Sequence, residues 1–126
     1  MARYPSLAEA IILGSTLGPQ GFGLYFGPGD ASCAVGSALK AVGIAEENVS
    51  PVDFWPGLLR PASCPGTFSP LCSTVCEVGP LVFHLNDCHR WSRAQIAEYL
   101  QKAGLDCQGA EREPMHAPVI EAQLCY

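Results

Sequence analysis

The stretch that decides the fold is GPLVFHLNDCHRWSRAQIAEYLQKAGL, from Gly79 to Leu105. Its first part, Pro80 to Leu85, is a short apolar run with β-branched and aromatic members after a Gly-Pro break, and this pattern predicts a buried strand. A polar segment follows, and a helix with clear boundaries comes next. We therefore predict a strand, a turn and a helix around which the remaining chain packs.

The helix after the turn carries signals at both ends. Ser92 and Gln95 have the spacing of a capping box, in which each side chain accepts a hydrogen bond from the other residue's backbone N–H. Trp91 and Ile96 have the spacing of a hydrophobic staple across the same cap. Gly104 is placed to end the helix in the left-handed conformation.

A second main helix is predicted from Asp30 to Val42. Asp30 follows Gly-Pro-Gly and is a good N-cap, since its side chain accepts hydrogen bonds from the first free N–H groups. Gly43 repeats the ending seen at Gly104. The matched endings favour these two helices as the core pair.

Two shorter helices complete the expected set. Ser6 and Glu9 form a second capping box, which predicts a helix from Ser6 to Leu13 closed by Gly14. Ser50-Pro51 predicts a further helix of one or two turns, because proline is favoured at the first helical position. The chain also holds 13 glycines and 11 prolines, so we expect long loops.

These elements define a fold class. We predict one small α+β domain over residues 1–126 that is predominantly helical, with two main helices, two short ones, one short strand or hairpin and long Gly/Pro-rich loops. Residues 106–126 are expected to form an extended tail.

Composition narrows the classes of partner and compartment. With a net charge of −5 and only 7 Lys and Arg residues, the chain lacks the basic clusters that bind nucleic acid. No apolar run approaches the roughly 18 residues of a membrane span. The N-terminal residues do not resemble a signal peptide, so we expect a cytoplasmic protein. In that reducing compartment cysteines are thiols or metal ligands rather than disulfides.

Seven cysteines and three histidines raise the hypothesis of a zinc site. The preferred ligands precede or follow the predicted strand, and two histidines are alternates: Cys64, Cys72, Cys76 and Cys88, with His84 and His89. The spacing Cys64-x7-Cys72-x3-Cys76 contains no C-x2-C knuckle. The alternative is that the cysteines are small buried apolar residues.

A thiol nucleophile is a second hypothesis. Counted from an Asp30 cap, Cys33 falls at the third helical position, where free N–H groups stabilise a thiolate. His84 or His89 would act as the base, and Asn86 or Asp87 would orient it. The alternatives are close packing at Cys33, side-chain turns at Asn86 and Asp87, and a half-buried His84.

Aromatic residues outside the main helices raise a third hypothesis, protein contact. An exposed patch of them would mark a protein partner or self-association, whereas covered rings would only roof the core. The residues concerned are Phe22, Tyr25, Phe26, Phe54, Trp55 and Phe68.

Two blocks of sequence resemble small uncharacterised proteins of bacteria and their phages. They are SCAVGSALKAVG, from Ser32 to Gly43, and HLNDCHRWSRAQIA, from His84 to Ala97. The resemblance covers less than half of the chain. It implies a phage or bacterial setting, with the cytoplasm of a bacterial host as the location, and it implies no activity.

The sequence thus favours a non-enzymatic accessory or structural protein that acts through protein contacts, with zinc as its candidate stabilising ion. The alternative is a cysteine-dependent hydrolase or transferase that uses Cys33 with a histidine of the 84–89 segment.

Overall fold

The computed structural model describes residues 3–46, 48–65, 72 and 75–111. Within these ranges lie four α-helices: α1 (Leu7–Ser15), α2 (Ala34–Ala41), α3 (Val78–Asp87) and α4 (Arg93–Lys102). Two 3₁₀ turns, Pro51–Asp53 and Pro56–Leu59, precede the first of two short strands, β1 (Pro61–Ser63) and β2 (Val75–Glu77). The strands pair antiparallel with Ala62 opposite Cys76. The predicted α+β class with a predominance of helix is confirmed.

The strand predicted from Pro80 to Leu85 is wrong, because these residues lie in α3. Val78, Leu81, Val82 and Leu85 are all fully buried, and their spacing is that of one helix face. Pro80 occupies the first turn, where backbone N–H groups have no helical partner, so proline breaks no bond there. The two real strands are short and lie before this run.

The N-cap predicted at Asp30 is also wrong. Helix α2 begins at Ala34, and Cys33 is its N-cap. The preceding residues are held extended by the glycine-rich loop: the N–H of Ser32 donates to the Pro19 carbonyl at 3.0 Å, and the N–H of Cys33 donates to the Tyr25 carbonyl at 3.1 Å. In a helix capped by Asp30, these N–H groups would be at the second and third positions, where the Asp30 side chain would accept from them. The loop carbonyls accept from them instead.

Helix α1 has the predicted Ser6–Glu9 capping box, but Gly14 does not end it. Helix α1 continues to Ser15, and Gly14 faces α2. A Cβ at Gly14 would lie 1.6 Å from the Ser37 carbonyl oxygen, so only glycine permits this approach of the two helices.

Helix α4 matches its prediction at both ends. The Ser92–Gln95 capping box is present, and Gly104 has a φ of 72°. The N–H of Leu105 donates to the Leu100 carbonyl at 2.9 Å, as expected for this helix ending. Gly43, with a φ of 87°, ends α2 in the same way.

The core pair is α1 with α2, and α4 packs against α1; the predicted pairing of α2 with α4 as the core is therefore wrong. The side chain of Arg93, at the start of α4, joins the three helices. Its guanidinium donates to the Gly18 carbonyl at 2.7 Å and to Ser37 Oγ at 2.9 Å, and it is only 8% exposed.

The aromatic residues differ in exposure. Trp55 is fully buried, Tyr25, Phe26 and Phe54 pack partly buried on the core, and Phe22 is 43% exposed. Phe68 lies outside the described residues. In the described part of the chain, most of these rings therefore cover the core.

The first part of the predicted tail runs back along the N-terminal segment. The Leu7 N–H donates to the Cys107 carbonyl at 2.8 Å, and the Tyr4 N–H donates to the Ala110 carbonyl at 3.1 Å. Residues 112–126 lie outside the described ranges. Of the helices in those ranges, none has the length and apolar character needed to cross a membrane.

Candidate metal centre

The end of α3 brings two histidines together, with their rings nearly perpendicular. His84 lies in the last turn, and the N–H groups of Cys88 and His89 both donate to its carbonyl, at 2.8 and 3.2 Å. Arg90 then takes a left-handed φ of 58°, which is uncommon for a residue with a side chain. The two bonds to the His84 carbonyl bring His89 back beside His84, with the imidazole centroids 4.7 Å apart and the Nε2 atoms 3.1 Å apart.

Two cysteines complete the cluster. Cys64 follows β1, and its Sγ lies 3.3 Å from Nε2 of His89. The Sγ of Cys72 lies 3.4 Å from Nε2 of His84 and 3.4 Å from Nε2 of His89. The four ligand atoms all lie within 4.8 Å of one another, so they surround one point.

The spacing of these atoms suits a tetrahedral zinc ion. With zinc–sulfur bonds of about 2.3 Å and zinc–nitrogen bonds of about 2.05 Å, a tetrahedron places two nitrogens about 3.3 Å apart and a sulfur about 3.5 Å from a nitrogen. Four of the six separations, at 3.1, 3.3, 3.4 and 3.4 Å, are shorter than these values by only a few tenths of an ångström, and all six lie within 4.8 Å. The cluster is compact enough to hold a metal ion.

The chemistry of the four groups also fits. Two thiolates and two neutral imidazoles are a common ligand set for structural zinc, and their combined charge balances that of the ion. Cys72 is 2% exposed, and the other three residues are half-buried. A neutral complex is favoured in such a place, since partial burial penalises net charge.

The cluster includes only part of the predicted ligand set. Cys64 and Cys72 belong to it together with both alternate histidines, whereas Cys76 and Cys88 lie outside it. Cys76 is in β2, where burial and the neighbouring Glu77 raise the pKa of its thiol. Cys88 is exposed at the C-cap of α3.

Cys33 lies elsewhere, at the start of α2. It is the N-cap rather than the third helical residue, its side chain is fully buried, and its Sγ accepts from the Gly36 N–H at 3.3 Å. The thiol therefore takes the capping role usually filled by a hydroxyl or carboxylate.

Asn86 and Asp87 bind backbone groups far away in the sequence. Asn86 is fully buried, and its Oδ1 accepts from the Ala34 N–H at 3.2 Å while its Nδ2 donates to the Gly21 carbonyl at 3.0 Å. Asp87 accepts from the Gly23 N–H at 3.1 Å. These bonds fix the glycine-rich loop to the end of α3.

A signal for the histidine pair is present in the sequence. His84-x4-His89 falls within the H-x3–5-H spacing of zinc sites, which the wide Cys64-x7-Cys72 spacing obscures. No family model, curated protein or solved structure matches this chain. The resemblance to bacterial and phage proteins stays a prediction.

Proposed function

We propose that this protein is a non-enzymatic accessory or structural protein that is stabilised by one zinc ion and acts through contacts with other proteins. The observation that carries the proposal is the convergence of Cys64, Cys72, His84 and His89, whose ligand atoms lie within 4.8 Å of one another.

The number of ligands supports a structural rather than a catalytic ion. Four protein ligands fill a tetrahedral zinc site, whereas catalytic zinc keeps one position for water or substrate. A filled site contributes to folding, because the ligands meet only in the folded chain.

The positions of the ligands indicate what the ion would hold together. Cys64 leaves β1, Cys72 lies between the two strands in sequence, and the histidines lie at the end of α3. A zinc ion would link the segment between the strands to the helix that follows them. This region is rich in proline and glycine, so such a cross-link would offset much of the entropy cost of ordering it.

Exposed apolar side chains support a role in protein contact. Six large ones among the described residues are at least 43% exposed: Ile12, Leu13, Leu17, Phe22, Leu24 and Leu59. Three of them belong to α1 and the turn after it, where they could contact a partner or a second copy of the chain. The bacterial or phage setting rests on the sequence resemblance alone.

The test is native mass spectrometry of the untagged protein purified with zinc. We expect the mass of one chain plus one zinc ion, or a multiple of it if the protein self-associates. Cys72→Ser should lose the zinc and melt at a lower temperature. The matched control Cys88→Ser should keep the zinc and the wild-type melting temperature. A wild-type mass without zinc, or equal loss in the two variants, would overturn the proposal.

A further inference from the structure

A groove of about 580 Å³ lies beside the candidate metal centre. Binding in this groove does not require the function proposed above. Its volume falls within the roughly 300–1,000 Å³ range of small-molecule sites. Most of its lining is apolar and comes from the glycine-rich loop, α2, the 3₁₀ turns and α3; these residues are Tyr25, Val35, Pro51, Val52, Leu58, Leu59, Gly79, Pro80 and Phe83.

Among the described residues, the charged side chains that line the groove are acidic. They are Glu77 and Asp87, which line it together with His84 and Cys88, and no lysine or arginine of the described ranges does so. Asp87 is held by the Gly23 N–H at 3.1 Å and by Nδ2 of Asn86 at 2.7 Å. One carboxylate is thus fixed in place at an otherwise apolar groove.

Two aromatic rings add to this negative character. Tyr25 and Phe83 stack with their centroids 5.4 Å apart and their planes 30° apart, and both residues line the groove. The face of an aromatic ring attracts cations, and the effect adds to that of nearby carboxylates.

We propose that this groove binds a small amphipathic organic cation, with an apolar body and one protonated amine. The body would lie on the wall formed by Tyr25, Leu58 and Phe83, and the ammonium would face Asp87. Glu77 lies about 15 Å away at the other end of α3, so it does not share this contact. An anionic ligand of the same shape would meet repulsion from Asp87, so the charge of the ligand decides binding.

The probes for the test are 1-naphthylmethylammonium and 1-naphthylacetate, which share a ring system and differ in charge. Each is titrated into the ¹⁵N-labelled protein as purified, and again after treatment with a chelator, while backbone amide shifts are followed. We expect the amine to shift the amides of Gly79, Phe83 and Cys88 and to bind about five- to tenfold more tightly than the acid. A rising salt concentration should reduce the difference in affinity between the amine and the acid.

Variants assign the effect to the groove. Asp87→Asn should weaken the amine several-fold, whereas Glu77→Gln, at the opposite end of α3, and Glu98→Gln, on the exposed face of α4, should leave its affinity nearly unchanged. Leu59→Lys adds a positive charge at a side chain that is 55% exposed, so it should weaken the amine without unfolding the protein. Its control is Leu17→Lys, which is similarly exposed at 52% and lies outside the groove.

Four outcomes would overturn the inference. They are equal binding of the two probes, preference for the acid, amide shifts that lie outside the groove, and no shift of the groove amides with either probe.

Discussion

The Nε2 atoms of His84 and His89 lie 3.1 Å apart, and the chain reversal at the end of α3 produces this pair. Two imidazole nitrogens at this distance cannot both carry a hydrogen, so at least one presents a lone pair to the other. A metal ion would accept the lone pairs of both nitrogens at once, and the two sulfur atoms beside them would complete its coordination.

Thiol reactivity should report on the bound ion. In the zinc-loaded protein we expect iodoacetamide to modify the exposed Cys88 first, while Cys64 and Cys72 are shielded by the metal and Cys33 and Cys107 by burial. A chelator should then expose Cys64 and Cys72 selectively. Peptide mapping by mass spectrometry measures the order in which the cysteines are modified. Unchanged modification rates at Cys64 and Cys72 after chelation would contradict the metal assignment.

Cys107 should make the protein lose stability in alkali. Burial raises the pKa of its thiol to about 11 from an ordinary value of 9.0; Arg60 opposes this shift and Asp106 adds to it. Because the folded pKa is the higher one, the thiol's contribution to stability is complete below pH 9 and disappears as the pH rises through 11.

The measurement is urea unfolding of Cys107→Ala and wild type between pH 8 and about 11.5, in the presence of zinc. The free energy of unfolding should fall less steeply with pH in the variant. Cys88→Ala, at an exposed thiol, should keep the wild-type dependence of unfolding free energy on pH. The same dependence in all three proteins would refute the role of Cys107 in the alkaline loss of stability.

Arg93 should be a major contributor to stability. Its guanidinium reaches the carbonyls of Ser15 and Gly18 on one side and the hydroxyls of Ser32 and Ser37 on the other, and burial lowers its pKa. Lysine cannot span both sides, because its donors lie on one nitrogen. We expect Arg93→Lys to cost about 2–4 kcal/mol by urea unfolding.

The control for Arg93 is an exposed cation. Lys102 pairs with Glu98 at 3.0 Å, and the two side chains are 75% and 63% exposed. Lys102→Ala should therefore change the free energy of unfolding by no more than about 0.5 kcal/mol. Equal losses of unfolding free energy in the two variants would show that the buried hydrogen bonds of Arg93 stabilise the fold no more than the exposed ion pair of Lys102 does.

Two helical glycines offer a matched test of helix packing. Gly14→Ala would place a Cβ 1.6 Å from the Ser37 carbonyl oxygen and must separate α1 from α2, so we expect a large drop in melting temperature. Gly79→Ala meets its nearest atom at 3.6 Å in α3 and should be neutral or stabilising by up to about 1 kcal/mol. A tolerated Gly14→Ala would refute the close approach.

Helix ends decided by neighbouring residues were predictable from the sequence. The capping boxes at Ser6 and Ser92 form because residues three positions apart exchange hydrogen bonds, whatever the fold around them. Gly104 ends α4 for an equally local reason, its left-handed conformation.

Other boundaries depended on contacts that are distant in sequence. Asp30 is a sound N-cap by composition, but the loop bonds to Ser32 and Cys33 delay the start of α2. The error in α3 has a different cause: a short apolar run fits either a buried strand or a helix, and the helical spacing is visible only when Val78 is included with Leu81 and Leu85.

The candidate site was predictable in type and only partly in membership. Cysteine and histidine content indicated zinc, yet four cysteines near one another in sequence were equally plausible ligands. Pairing of β2 with β1 places Cys76 opposite Ala62 and outside the cluster, while the reversal after α3 brings in His84 and His89. Both outcomes depend on tertiary structure.

The most direct test of the metal centre is X-ray absorption at the zinc K-edge of the zinc-loaded protein. The account predicts two sulfur ligands at about 2.3 Å and two nitrogen ligands at about 2.0–2.1 Å. A shell of three or four sulfurs, which would require a cysteine other than Cys64 and Cys72, or a shell of oxygen atoms, would contradict it.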